Sequence, residues 1–562
     1  MTKKISIPQT GEDIVDLALH TIAMKKQALV FVGSKRGAEA TAEKIAKKLK
    51  EDTSLNELSD EVLNTLGKPT KQCERLAKLV KKGLIFHHAG LHSKQRELLE
   101  DAFKEGKIKI ICATPTLSAG VDTPAFRSII KDVKRFDGRW GMNYIPVLEY
   151  LQMAGRAGRP GREEYGEAIL LAATETEKEK LYDRYICGVP EEIYSKLAVE
   201  PVLRTYVLSL IATEFVNTEK EIFTFFSKTF WAYQYKDMYK LQTIILKMLH
   251  LLEEYQFITI NQEDFRSANE EEETKVTATF LGKRVAELYF DPLTAHNLIE
   301  GMQKIKEIKK DVSSFSVLQL VSAQLEIRPP LSVRVGEIEK IQASLAKEEF
   351  LMDEPTVYDT EYEEFLASVK TALFFGEWIE EKDEEYILEE YNIRPGEIKV
   401  KIDNCDWLLY GMEELAKVLH FQTILKDLAK LRFRVKEGVK EELLTLLQLK
   451  DIGRIRARKM YNKNIKSFTD IRQTDIIVLA EILGKKTALH VKEQVGQKIE
   501  EKNAKEEVRK NGKKIKEENV EKIKNSKNVE EKEKSEKKEE KEKAEKGDQK
   551  KQSTLTSYDK DL

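Results

Sequence analysis

No long apolar run and no signal peptide is legible in this chain, which sets the expectation of a soluble, cytoplasmic protein with no membrane partner. Cysteine is scarce. Cys73, Cys112, Cys187 and Cys405 are scattered without metal-ligand spacing, which excludes a zinc ribbon or a disulfide framework and suggests buried, reduced thiols. An excess of one charge is also missing: 95 Lys and Arg against 97 Asp and Glu leave a formal net charge of −2, so any nucleic-acid-binding surface must be local. The most consequential absence is a phosphate loop. A phosphoryl-transfer motor needs a Gly-rich loop ending in Lys-Ser/Thr and a carboxylate for Mg²⁺. Leu66-Gly67-Lys68-Pro69-Thr70 and Leu483-Gly484-Lys485-Lys486-Thr487 lack the spacing, and Asp353-Glu354-Pro355-Thr356 follows no strand of the right kind. What is present, 562 residues with 41% hydrophobic content, suffices for several domains.

The most informative stretch is Gln152-Met153-Ala154-Gly155-Arg156-Ala157-Gly158-Arg159-Pro160-Gly161. Two arginines three apart, each preceded by glycine, describe a tight turn whose guanidinium groups face one target, and guanidinium matches phosphate oxygens bidentately. Such turns also occur as solvated loops, so context matters. The apolar runs Leu29-Val30-Phe31-Val32 and Ile108-Lys109-Ile110-Ile111-Cys112-Ala113 are of buried-strand type, each followed by turn residues and a helical pattern. They predict βαβ units and a parallel sheet. After the second run comes Thr114-Pro115-Thr116-Leu117-Ser118-Ala119-Gly120-Val121-Asp122-Thr123-Pro124, placed where open α/β sheets bind ligands. This loop resembles motif V, and the Gln152 stretch motif VI, of superfamily-2 helicases. Phe86-His87-His88-Ala89-Gly90-Leu91 resembles a further signature of the same group. The chain resembles archaeal HelQ-like DNA repair helicases of the Ski-like group, from about Asp13 to about Gln497.

That resemblance implies an α/β RecA-like domain followed by mainly α domains: a second RecA-like domain (1–182), a winged helix (183–280), a helical ratchet bundle (281–430) and a helix-hairpin-helix (431–498). It also implies that the phosphate loop belongs to a separate first RecA-like domain or subunit, so that ATP and Mg²⁺ are shared with it. By the same resemblance, Arg156 and Arg159 stabilise the transferring phosphoryl group with Gln152 nearby. Gly120, Asp122 and Gly155 contact or couple the nucleotide, and Thr114 faces nucleic acid. Gly33-Ser34-Lys35-Arg36-Gly37 opens a helix whose amides suit a phosphate, and in the resembled family this loop touches the nucleic-acid backbone.

Between motifs V and VI, Arg135-Phe136-Asp137-Gly138-Arg139-Trp140-Gly141 predicts a hairpin from its Asp-Gly turn. Phe136 and Trp140 either pack it onto the domain or form the strand-separating wedge that the family places here. Apolar spacing at Leu203, Val207, Leu208 and Ile211, and at Ile244, Ile245, Met248, Leu249 and Leu252, predicts amphipathic helices. Two short strand patterns follow, around the run Glu270-Glu271-Glu272-Glu273, which would repel phosphate and makes the winged helix a joint rather than a DNA reader. Pro395-Gly396 starts a helix carrying Trp407, which is either a core residue or, as the resemblance implies, a base-stacking platform. The family's arginine two turns earlier falls on Val400, with Lys399 and Lys401 beside it.

Leu449-Lys450-Asp451-Ile452-Gly453-Arg454-Ile455-Arg456-Ala457-Arg458 has the pattern of a helix-hairpin-helix in which Gly453 amides and Arg454, Arg456 and Arg458 meet a phosphate, with Asp451 replacing the usual first glycine. Residues 499–550 are almost wholly Lys, Glu and Asn, a disordered tail by composition. Residues 551–562 carry Gln552, Leu555 and Tyr558, spaced as in peptides that dock on DNA sliding clamps, with Asp559 where a second aromatic is usual. The reading is the DNA-tracking half of a 3′-to-5′ DNA helicase on single-stranded and forked DNA in fork repair or recombination, cytoplasmic and nucleoid-associated. The rivals are a non-catalytic DNA-binding adaptor held at the clamp and a Ski-like RNA helicase.

Overall fold

The structure is a computed structural model that describes residues 7, 11–66, 69–118, 123–137, 141–158, 161, 163–261, 274–308, 312–345 and 348–497. Gly120, Asp122, Trp140, Arg159, the Glu270–Glu273 run, the charged tail and the Gln552, Leu555, Tyr558 peptide lie outside the described residues. The chain forms two compact units, residues 1–440 and 441–562.

The first unit begins with a parallel sheet. Its strands are β1 (Ala28–Phe31), β2 (Leu84–His87), β3 (Ile110–Ala113) and β4 (Arg127–Ile130), followed by the hairpin strands β5 (Lys134–Asp137) and β6 (Gly141–Tyr144), then β7 (Glu167–Leu170). The order is β2-β3-β1-β4-β7 with every neighbour parallel. All residues of β1, β2, β3 and β4 are buried, the signature of strands covered on both faces. The covering helices are α1 (Asp13–Ala23), α2 (Lys35–Ala46), α3 (Asn56–Asn64), α4 (Lys71–Val80), α5 (Ser93–Lys104), α6 (Val147–Ala154) and α7 (Glu175–Leu181). Local chemistry fixes their starts: the Ser34 hydroxyl accepts from Gly37 N–H at α2, and Thr70 caps α4. Arg127 on β4 is 1% exposed yet satisfied, donating to Thr21 Oγ1 (2.7 Å), to the Leu17 carbonyl (3.3 Å) and to Glu167 on β7.

Helices then dominate: α8 (Glu200–Ala212), α9 (Glu219–Ser227), α10 (Phe230–Tyr235) and α11 (Met238–Glu254), closed by the antiparallel pair β8 (Ile258–Asn261) and β9 (Lys275–Ala278). After them come α12 (Phe280–Leu288), α13 (Pro292–Glu307), α14 (Ser314–Ser322), α15 (Ile338–Leu345), α16 (Tyr362–Ile379), α17 (Glu384–Glu390), α18 (Pro395–Val418) and α19 (Gln422–Glu437). One continuous apolar core runs from Leu203 to Val435 and is separate from the core of the sheet layer. It includes the buried fork between Arg204 on α8 and Asp291, the N-cap of α13, with contacts of 2.9 and 2.7 Å. The second unit contains α20 (Arg454–Asn462), α21 (Phe468–Gln473), α22 (Ile476–Leu483) and α23 (Lys485–Gln494).

Candidate nucleotide and nucleic-acid sites

The carboxyl ends of β3 and β1 are where a doubly wound sheet presents its loops to a ligand. Thr114 follows β3, buried, its backbone N–H donated to His87 O and its hydroxyl 2.9 Å from that of Thr116. A one-turn 3₁₀ helix, Pro115–Ser118, forms the next residues of the same loop. The arginine turn meets this segment directly: Arg156 donates through Nε to the Ser118 carbonyl (3.0 Å), and its Nη2 reaches the same oxygen. The backbone is stitched as well, with Ala125 N–H to Arg156 O (3.0 Å) and Gly158 N–H to Ala125 O (2.7 Å). Gly158 has φ of +91°, and a Cβ on Gly166 would lie 2.2 Å from Gly158 N, so two glycines allow the turn to close on the strand that follows. Gln152 is exposed on α6, and Gly155 is that helix's exposed C-cap. The structure therefore brings Arg156 onto the segment that follows Thr114, braced on a carbonyl, with Gln152 and Gly155 at the end of the helix just before it. No group of three His, Cys, Asp or Glu side chains able to hold a metal ion occurs among the described residues.

The expected hairpin forms, with Phe136 opposite Met142 and Asp137 opposite Gly141. Its base is held by Arg135 and Glu149 (3.1 Å), by Lys134 and Arg184 over the Tyr144 ring, and by Tyr185 donating to Ile145 O (2.8 Å). Met142 is 61% exposed, an apolar side chain near the hairpin's end that sequence reasoning passed over.

On α18 the expected nucleic-acid residues divide. Lys399 is exposed, paired with Asp403 at 2.6 Å, and its charge reaches His92, which burial and then the charges of Lys94, Lys399 and Arg96 hold below its ordinary pKa. Lys94 and Arg96 at the start of α5 thus extend the basic surface, unflagged by any motif. Lys401 is a correction. It is buried and donates to the carbonyls of Ile327 (3.3 Å) and Pro329 (2.7 Å), so it braces a loop instead of facing a strand. Trp407 is half-buried, donates its indole N–H to Leu288 O (3.1 Å) and meets Phe290 edge to face. A cleft of about 300 Å³ opens beside Val400, lined among others by Ala89, Arg328, Arg334, Lys370 and Asn404.

In the second unit, Asp451 takes the left-handed conformation (φ +69°), a region Asp tolerates, and its carboxylate is 2.8 Å from His490 Nδ1. Gly453 is the N-cap of α20, with no side-chain cap. Arg456 folds back onto Asp451 O (2.7 Å), Arg458 pairs with Glu442 (2.6 Å), and Arg454 is half-buried.

Comparison with known proteins agrees with this geometry. Residues 11–161 match the helicase conserved C-terminal domain, and residues 315–438 match domain 4 of archaeal helicases. The chain is 38% identical over 511 residues to the ATP-dependent DNA helicase Hel308 of Methanocella arvoryzae, covering 89% of this chain and 67% of that protein. It is also 38% identical to the Hel308 of Pyrococcus horikoshii (84% and 64%) and 32% identical to that of Caldivirga maquilingensis (87% and 66%). The chain spans about two-thirds of the length of these curated relatives.

Proposed function

The chain belongs to the family of archaeal Hel308 DNA helicases, and from that premise we propose that it is the DNA-tracking half of an ATP-dependent 3′-to-5′ helicase acting on single-stranded and forked DNA in fork repair or recombination. The observation that carries the proposal is the junction of motifs V and VI, where Arg156 rests on the Ser118 carbonyl and the two segments share backbone hydrogen bonds. A turn so fixed presents positive charge at a constant distance from the loop after β3, which is what pre-organised stabilisation of a transferring phosphoryl group requires.

In this reading Arg156 and Arg159 hold the developing charge, Gln152 stands at the same helix end, and Gly120 and Asp122 link nucleotide to DNA. ATP would supply the transferable phosphoryl group, and the phosphate loop and Mg²⁺ ligands, which this sequence lacks, would come from a separate first RecA-like domain or subunit. Winged-helix identity for residues 183–280 and helix-hairpin-helix identity for residues 431–498 complete the proposal. Gly453 and the arginines after it would grip duplex phosphate, and Gln552, Leu555 and Tyr558 would recruit the protein to a sliding clamp.

The test is reconstitution. The purified chain should bind single-stranded DNA and show no DNA-stimulated ATP hydrolysis until a phosphate-loop lobe from a family relative is added. In the active pair, Arg159→Ala should lower turnover by roughly a thousandfold with DNA affinity nearly intact, the scale of an arginine finger. Turnover by the chain alone would refute the shared site. DNA binding without turnover in any pairing would leave a non-catalytic adaptor.

A further inference from the structure

The signature Phe86-His87-His88-Ala89-Gly90-Leu91 lies on β2 and the loop after it, and the start of α18, some 300 residues later in sequence, is seated on that loop. The approach is backbone to backbone. Gly396 N–H donates to Gly90 O (3.1 Å), a Cβ on Gly396 would sit 2.5 Å from Ala89 O and 2.6 Å from Leu91 O, and a Cβ on Gly90 would sit 2.9 Å from Cβ and Cγ of Arg394. No side chain fits at either position without separating the elements.

Charge fastens the seat at its centre. Glu39 on α2 is 2% exposed and accepts from Arg75 (2.7 Å) and His88 (3.2 Å), with the Arg394 guanidinium at 3.4 Å. Gly90 N–H donates to His88 Nδ1 (3.2 Å), so the ring proton is on Nε2, directed at Glu39. Around this node Lys35 pairs with Glu397, which also accepts from Arg394 N–H (2.9 Å), and Arg36 donates to Asn392 Oδ1 (2.7 Å). At one flank Glu385 accepts from Lys71 N–H (2.8 Å), and Glu389 pairs with the Lys71 ammonium.

We infer that Arg394, held on Glu39 across the Gly90–Gly396 contact, is a positioning residue that makes α18 and the RecA-like layer move as one body. Trp407 lies eleven residues beyond Gly396 on the same unbroken helix, about 16 Å along its axis. Displacement of the layer is thereby delivered to Trp407 by a rigid rod rather than through a loop. The motor consequence rests on the functional reading above, whereas the rigid coupling is a property of this chain alone.

Two readouts keep them apart. In a Cys187→Ser background, which removes the exposed thiol, spin labels at Lys48→Cys on the RecA-like layer and Asp403→Cys on α18 report the separation of the two elements in the full chain without nucleotide. The native sequence should give one narrow distance distribution. Arg394→Ala and Gly396→Val should each broaden it by several ångströms, and Arg394→Lys, which keeps a cation for Glu39, should restore most of the narrowness. An unchanged distribution in both Arg394→Ala and Gly396→Val overturns the inference. In the reconstituted pair, Arg394→Ala should keep DNA-stimulated hydrolysis within about twofold while base pairs opened per ATP fall severalfold. Equal losses in both would make Arg394 an ordinary stability residue and also count against it. If no pairing hydrolyses ATP, the functional reading fails and the coupling is decided by the distances.

Discussion

Replacing Glu39 by glutamine tests the node at its most charged point, and the structure sets both the size and the pH dependence of the effect. Burial alone would push this carboxyl up. The hydrogen bond from His88 and the charges of Arg394 and Arg75 outweigh it and hold the pKa at about 2, against an ordinary value of 4.5. A carboxyl with its pKa so depressed contributes about 3 kcal/mol of stability at pH 7. The sign follows from proton binding. The unfolded chain takes up the proton first as pH falls below 4.5, so the contribution is complete above that value and is lost progressively toward pH 2. By the same linkage roughly 2 kcal/mol survives at pH 3.5. Glu39→Gln should therefore be less stable than the native sequence by about 3 kcal/mol at pH 7, with any cost of the two under-paired arginines added at every pH. Between pH 7 and pH 3.5 the difference should shrink by somewhat over 1 kcal/mol. Urea unfolding of both proteins at the two pH values, followed by tryptophan fluorescence and far-UV dichroism, measures it. A gap that does not change with pH would refute the ionised, multiply paired state of Glu39, and a gap below 1 kcal/mol at pH 7 would refute its energetic weight.

Arg204→Ala removes both hydrogen bonds of the buried fork and leaves Asp291 without its cation, so it should destabilise the helical core by about 3–5 kcal/mol, measurable as a lowered midpoint in the same titration; a loss under 1 kcal/mol would mean that solvent replaces the guanidinium. Lys401→Ala strands the carbonyls of Ile327 and Pro329 and should cost about 1–3 kcal/mol while single-stranded DNA affinity, read by fluorescence anisotropy, stays within twofold; a large affinity loss with unchanged stability would restore Lys401 to the DNA surface. Trp407→Phe keeps a ring against Phe290 and gives up only the bond to Leu288 O, so it should retain most unwinding per ATP, whereas Trp407→Ala should lose it together with a base stack worth about 1–3 kcal/mol; equal defects in both would assign Trp407 to the core. A peptide of residues 550–562 should bind the cognate clamp weakly by calorimetry and lose binding when Leu555 and Tyr558 are both changed to Ala; identical titrations would remove the clamp from the proposal.

The parts of the molecule legible in sequence are those whose causes are local. The strands β1 and β3 were readable because four consecutive buried positions demand an apolar run, and α8 and α11 because burial on one side of a helix demands apolar residues three and four apart. The β5–β6 hairpin announced itself by Asp137-Gly138 between extended segments. Motifs V and VI were likewise local strings, and their meeting through Arg156 and Ser118 follows from strand order. Lys401 was misplaced for an equally local reason. Adjacent helical residues point about 100° apart, so the lysines flanking Val400 cannot share its surroundings, and one of the two turned inward. At Asp451 the turn before α20 uses a left-handed backbone, which Asp adopts at modest cost, so a string without glycine at that position gives no sign of it.

The seat of α18 was illegible because neither of its halves carries a periodic or compositional signal. Lys35 and Glu397 are 362 positions apart, and the glycines at 90 and 396 look like any loop glycine until the two backbones are side by side. A glycine retained for close approach differs from one retained for a turn in a way that only the partner reveals: neither Gly90 nor Gly396 has a positive φ, so neither is needed for its own conformation. Steric exclusion by the opposite segment is then the remaining physical reason for both. That is why Gly396→Val is the sharper perturbation of the pair used to test the coupling. It deletes no charged side chain of the Glu39 node and acts first on the distance at which α18 can rest on the layer, so a broadened distribution in this variant starts from lost close approach rather than from a removed charge.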